Sequence, residues 1–123
     1  MNKYFYDSYA IIEFIKGNPK FKEYFTEVKG ITSFYNLMEV YYSTLKDNGE
    51  TKARDFLNLF INISVQPITE DIESSMKFRF LNVKKKFSYA DCLGYNISKR
   101  EKLKFLTGDE AFRNFPNVEF VKA

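Results

Sequence analysis

The chain has 123 residues, 45% of them hydrophobic and 19% aromatic, which suits one domain able to bury about two-thirds of its unfolded surface. It has no histidine and a single cysteine, which excludes a Ser-His-Asp or Cys-His catalytic unit, a His-containing zinc site and any internal disulfide. The formal charge of +3 permits a polyanionic partner without demanding one. Five glycines and three prolines leave little room for linkers, so one domain spanning 1–123 is expected. No apolar run approaches the ~20 residues of a membrane span, and Asp7 stands where the apolar run of a signal peptide would begin. The lone Cys92 is expected to be a small semi-buried apolar residue, and a reducing cytoplasm is the expected location.

Tyr4-Phe5-Tyr6 is a short aromatic run of the kind found in a buried strand, ending at Asp7. Residues 8–16 follow as a helix with an apolar stripe of Ala10, Ile11, Phe14 and Ile15, stopped by Gly17. Asn18-Pro19 supplies an N-cap and first residue for a second helix, marked by Phe21, Tyr24, Phe25 and Val28. Residues 29–33 are a less marked strand leading into a long helix. Its stripe of Phe34, Leu37, Met38, Tyr41, Tyr42 and Leu45 is expected in the core, up to a break at Asp47-Asn48-Gly49. The next helix, 50–60, turns Ala53, Phe56, Leu57 and Phe60 inward, and 62–66 alternates before Pro67 as a short strand.

Thr69 is expected to cap a helix whose acidic first turn (Glu70, Asp71, Glu73) suits the helix dipole. That helix continues through Met76, Phe80 and Val83 into Lys84-Lys85-Lys86. Ser88 caps another, in which Ala90, Leu93, Gly94 and Ile97 share one face. Residues 104–109 form a strand and turn, 109–112 a short helix, and 117–121 a last strand. The alternation implies a mostly parallel sheet of four or five strands with helices on both faces.

Asp91 stands three residues after Ser88, a pattern that by itself means a capping arrangement worth about 1 kcal/mol. It has company, however. Asp7, Glu39 and Asp109 each lie at, or on a helix beside, a strand–helix junction, and Asp7 and Asp109 fall just past two strand ends, where such sheets bind ligands. Gathered carboxylates raise one another's pKa unless a cation neutralises them. Mg²⁺ and Mn²⁺ prefer oxygen ligands and keep waters when held by a few carboxylates. One or two such ions can generate a hydroxide and stabilise in-line attack at a phosphodiester, with no histidine required.

In four places the sequence resembles the PIN domain family: Tyr4-Phe5-Tyr6-Asp7-Ser8, Asn36-Leu37-Met38-Glu39-Val40, Tyr89-Ala90-Asp91-Cys92 and Leu106-Thr107-Gly108-Asp109-Glu110-Ala111-Phe112. The order and spacing follow the family nearly end to end. The resemblance implies a three-layer α/β/α sandwich and a ribonuclease using Mg²⁺ or Mn²⁺. A domain this short resembles the toxin of a VapBC-type toxin–antitoxin pair, expected as a homodimer silenced by a small antitoxin protein. It also implies Asp7 and Asp91 as principal metal ligands, Glu39 completing the site directly or through water, and Asp109 holding a second ion or orienting the attacking water. Ser8 and Thr107 match hydroxyl positions near the acid pocket, where turn or capping roles compete. Glu110 ranks behind Asp109, and Asn36 is a marginal candidate.

Arg79 and Lys84-Lys85-Lys86 could follow an RNA backbone, although a charge run closing a helix is also an ordinary solvated end. A phosphoacceptor receiver needs paired acids after its first strand, and a haloacid-dehalogenase-type phosphatase needs Asp-x-Asp; Asp7-Ser8-Tyr9 offers neither. The remaining alternatives are a PIN nuclease that processes RNA without being a toxin, and a PIN-like module that binds RNA or protein without cleaving.

Overall fold

Five short strands form an all-parallel sheet in the computed structural model, which describes residues 1–27 and 29–123. They are β1 (Tyr4–Tyr6), β2 (Gly30–Ser33), β3 (Ser64–Val65), β4 (Lys104–Thr107) and β5 (Val118–Phe120), in the order β3-β2-β1-β4-β5. β1 runs beside β2 and β4, with Tyr6 level with Leu106. Helices α1 (Ser8–Ile15) and α2 (Pro19–Thr26) connect β1 to β2, and α3 (Phe34–Asn48) and α4 (Glu50–Phe60) connect β2 to β3. The return to β4, on the other side of β1, runs through α5 (Thr69–Leu81) and α6 (Tyr89–Arg100). Right-handed crossovers running in opposite directions put their helices on opposite faces, which makes the three-layer α/β/α sandwich expected above.

Strand alternation divides the core accordingly. Tyr6 and Leu106 pack with Ala10, Ile11, Phe21, Leu37 and Val40 on one face; Phe5 and Phe105 pack with Cys92, Leu93, Ile97 and Phe112 on the other. The helix signals of the sequence recur as geometry. Asn18 accepts the Lys20 backbone N–H at 3.0 Å ahead of Pro19, and Gly49 turns the chain out of α3 at φ +90°. Val28, assigned to the second helix from the sequence, lies outside the described residues.

Four expectations are corrected. The strand expected over 62–66 shrinks to Ser64–Val65, because 61–63 form a 3-10 turn closed by the Ser64 hydroxyl on the Ile61 carbonyl (2.7 Å). Thr69 does not cap α5; it is the first helical residue after Ile68, whose N–H is accepted by Asp71 at 2.9 Å. Asp71 is only 1% exposed and takes a two-pronged ion pair from Arg100 (2.7 and 2.9 Å) that ties α5 to the end of α6. Burial pushes this carboxyl up, but the Arg100 hydrogen bonds and charge, with the Ile68 N–H, outweigh it and leave it below its usual range. α5 itself stops at Leu81, so Val83 and the lysines belong to a separate turn.

The fourth correction concerns α3. Of its expected core stripe only Leu37 is buried, whereas Phe34, Met38 (68% exposed), Tyr42 (67%) and Leu45 face solvent. α4 doubles back against α3, and the uncovered part of the stripe, with Tyr41, Leu57 and Ile61, lines an open apolar groove of about 460 Å³.

Gly94 lets α6 lie close against the sheet: a Cβ there would stand 2.7 Å from Cε1 of Phe5 and 3.2 Å from Cε1 of Phe105. Both rings are fully buried and have nowhere to go. Gly94→Val is therefore expected to destabilise the chain by about 1–3 kcal/mol, read as a lower urea midpoint at unchanged m-value.

Candidate functional site

Doubly wound sheets bind ligands where the strand order reverses, and here that point lies between β1 and β4. Asp7 follows β1 directly at this point. Its backbone N–H donates to the Leu106 carbonyl at 3.1 Å, so it is held to both central strands. The side chain is 2% exposed; Oδ2 accepts the Thr107 hydroxyl at 2.7 Å, and Oδ1 is buried with no hydrogen-bond partner. An orphaned carboxylate oxygen in such a place is costly and calls for an explanation.

Thr107 does two things with one hydroxyl. While donating to Asp7 it accepts the Asp109 backbone N–H at 3.1 Å, linking the turn after β4 to the residue after β1. Asp109 in turn caps the 3-10 turn of Glu110–Phe112 by accepting the Ala111 N–H at 3.0 Å. Asp91 lies in the first turn of α6, in the capping box expected from the sequence: Ser88 Oγ accepts the Asp91 N–H (3.0 Å) and Asp91 Oδ2 accepts the Ser88 N–H (2.9 Å).

Glu39 is positioned by a buried chain of hydrogen bonds with one direction throughout. Ser33 caps α3 by accepting the Asn36 N–H, and its hydroxyl donates to Asn36 Oδ1 at 2.6 Å. That bond fixes the amide, so Nδ2 donates to Ser8 Oγ (3.0 Å), and the Ser8 hydroxyl donates to Glu39 Oε1 at 2.6 Å. Asn36 is fully buried. Ser33 was absent from the sequence candidates, although a serine immediately before a helix is an N-cap signal that could have found it.

Asp7 and Asp91 feel the acids around them. Burial, and next the Asp91 charge, push Asp7 up to about 8 against the lowering effects of the Thr107 hydrogen bond and the nearby Ser8 backbone N–H, with Glu39 adding to the rise. Burial also raises Asp91, and the charges of Glu39 and Asp109 act in the same direction against its bond to Ser88. As the side chains stand, however, no three His, Cys, Asp or Glu side chains among the described residues form a group that could by itself hold a metal ion. Asp91 and Asp109 each turn an oxygen onto a backbone N–H, and Ser8 holds Glu39. A cation held by waters as well as carboxylates suits this donor set better than an all-protein cage, and the free oxygen of Asp7 suits such an ion.

The remaining candidates make contacts of their own. Glu110 is exposed and pairs with Arg113 (3.0 Å) and Lys122 (3.8 Å). Lys84, Lys85 and Lys86 are exposed on the turn between α5 and α6, and half-buried Arg79 donates from Nε to the Phe87 carbonyl at 3.2 Å. Burial, aided by the Asp91 charge, pushes the fully buried Cys92 thiol up to about 11, so it is not a nucleophile near neutrality.

The PIN domain family profile matches residues 4–118. No curated protein matches the sequence. Among solved structures, DNA-bound VapBC from Salmonella typhimurium is 19% identical, with a TM-score of 0.77 over 99% of this chain and 98% of that one. A toxin–antitoxin complex from Klebsiella pneumoniae is 21% identical, with a TM-score of 0.74 over 98% of this chain and 100% of that one. The sarcin-ricin loop cleaving toxin VapC20 of Mycobacterium tuberculosis is 13% identical, with a TM-score of 0.74 over 95% and 99%. At these identities the likeness is one of fold.

The protonation of Asp7 has a consequence for stability. The folded carboxyl keeps its proton up to about 8, whereas an unfolded aspartate releases it near pH 4. Between those values the folded state binds more protons, so stability falls as pH rises. In chelator, the melting temperature is expected to be lower at pH 8 than at pH 5, and Asp7→Asn is expected to remove most of that slope in a calorimetric series.

Proposed function

The chain belongs to the PIN domain family, and from that premise we propose that residues 1–123 form a single metal-dependent endoribonuclease domain acting as the toxin of a VapBC-type pair. The observation that carries the reading is the buried, half-unpartnered carboxylate of Asp7 within the field of Asp91 and Glu39 at the sheet's switch point. Such an arrangement is unstable in charge by itself and becomes balanced when a divalent cation joins it. Asp7 and Asp91 are the principal residues for that ion, with Glu39 and Asp109 assisting directly or through water. When bound, Mg²⁺ or Mn²⁺ supplies Lewis acidity for attack of water on a phosphodiester.

The protein's own side chains do the rest. Thr107 holds the Asp7 carboxylate in one orientation and ties Asp109 to it. The relay from Ser33 through Asn36 and Ser8 keeps Glu39 from swinging away. Arg79 and Lys84, Lys85 and Lys86, on and after α5, offer positive charge to the RNA backbone, which an acid pocket alone would repel. Glu110, tied to Arg113, ranks behind Asp109.

Two exposed apolar surfaces support the partners: the groove of α3 and α4, and the outer side of α5 with Ile72, Met76 and Phe80. We assign them to a homodimer and to a small antitoxin protein. Toxin–antitoxin complexes of the same fold support the antitoxin partner. No helix among the described residues is long and apolar enough to cross a membrane, and the proposed site of action is the cytoplasm.

Purified protein is expected to cleave RNA with Mg²⁺ or Mn²⁺ and to stop in chelator, with Asp7→Asn and Asp91→Asn each inactive in a gel assay. Metal-independent cleavage, or full activity in both variants, would overturn the mechanism. Ser8→Ala and Thr107→Val, which remove supports of the acids, are expected to retain the fold by circular dichroism and to lose about 10–100-fold in kcat/KM or metal affinity. Expression in a host is expected to arrest growth, and co-expression of a short reading frame directly upstream to relieve it; absence of arrest would favour an RNA-processing role.

A further inference from the structure

Tyr89 is a large ring left in solvent at the start of the helix that carries Asp91. It is the first residue of α6, two before Asp91, and is 65% exposed. One face is covered: the Arg79 guanidinium lies 4.8 Å from the ring centroid. Arg79 is itself anchored, since its Nε donates to the Phe87 carbonyl at 3.2 Å, one residue before the Ser88 cap. The ring is thus backed by a fixed cation on one side and open on the other. Three further cations, Lys84, Lys85 and Lys86, immediately precede Phe87.

We propose that Tyr89, backed by Arg79, is a base-stacking platform that selects RNA whose nucleotide beside the scissile phosphate is unpaired. This rests on the nuclease reading for what the pocket does, but not for what the ring binds. An aromatic face accepts any base, and only a base released from a duplex can present its own face to it. The backing guanidinium strengthens the stack and adds positive charge where the acids would otherwise repel a polyanion. A ring already held in place also loses little freedom on binding. A tyrosine–arginine pair can equally anchor a protein, but the cations leading into Phe87 favour a polyanion.

The test has two independent readouts on the full chain: anisotropy of a labelled oligouridine in chelator, and cleavage kinetics of an unstructured RNA with Mn²⁺. Tyr89→Ala is expected to weaken oligouridine binding by roughly 5- to 150-fold, the loss of one stacked base. KM is expected to rise by a similar factor with kcat nearly unchanged, because stacking is kept in the transition state. Tyr89→Trp is expected to restore both, which a merely structural role would not allow. An abasic nucleotide beside the cleaved bond is expected to weaken the wild type but not Tyr89→Ala. Equal affinity and KM in wild type and Tyr89→Ala, or a Tyr89→Trp no better than alanine, would overturn the platform. Unchanged oligouridine affinity with a shifted monomer–dimer equilibrium would overturn it in favour of a protein contact. Tyr89-dependent binding without any metal-dependent cleavage would leave the platform standing and remove the nuclease reading instead.

Discussion

A carboxylate buried between the two central strands is the constraint to which the rest of this molecule answers. Asp7 is pinned by its own backbone to β4 and by its side chain to Thr107, so it cannot turn outward to find water. Its second oxygen has no partner and its neighbours are acids, which is why burial and like charge together hold its proton on well above the ordinary range. A position of this kind weakens a fold that gains nothing from it. Strain or unmet polarity of this sort concentrates at functional sites, where the missing partner is a ligand.

The surrounding structure serves that position from both faces of the sheet. From one face come Ser8 at the start of α1 and the Asn36–Glu39 turn of α3, locked together by hydrogen bonds that each have one possible direction. From the other comes α6, whose capping box presents Asp91, and whose far end is tied by Arg100 to the buried Asp71 of α5. Gly94 brings this helix down onto Phe5 and Phe105, the neighbours of Tyr6 and Leu106 in the same strands. Small changes in how α6 seats on the sheet therefore move one of the acids relative to the other.

Local chemistry accounts for most of the architecture that could be read in advance. The aromatic triplet before Asp7, the Asn18-Pro19 start, the Ser88 cap and the break at Gly49 each act within a few residues, and each reappears where it was placed. The larger errors arise where a choice depends on a distant surface. The stripe of α3 is genuine, but its period says only that a face is apolar, not whether this chain or another covers it. Asp71 looked like an ordinary acid in a first turn until Arg100, 29 residues away, was folded against it.

Residue order alone was enough to establish the alternation of strands and helices, the exclusion of histidine and cysteine chemistry, and the placing of Asp7 and Asp109 just beyond two strand ends, because those depend on backbone preferences and composition. It could not reveal that Thr107 would bridge Asp7 and Asp109, that Asn36 would hand a hydrogen bond to Ser8, or that one oxygen of Asp7 would be sealed in without a partner. The bonds from Asn36 to Ser8 and from Thr107 to Asp7 join residues 28 and 100 positions apart. Their geometry is set only when both sides of the sheet are packed and water has been driven from between them.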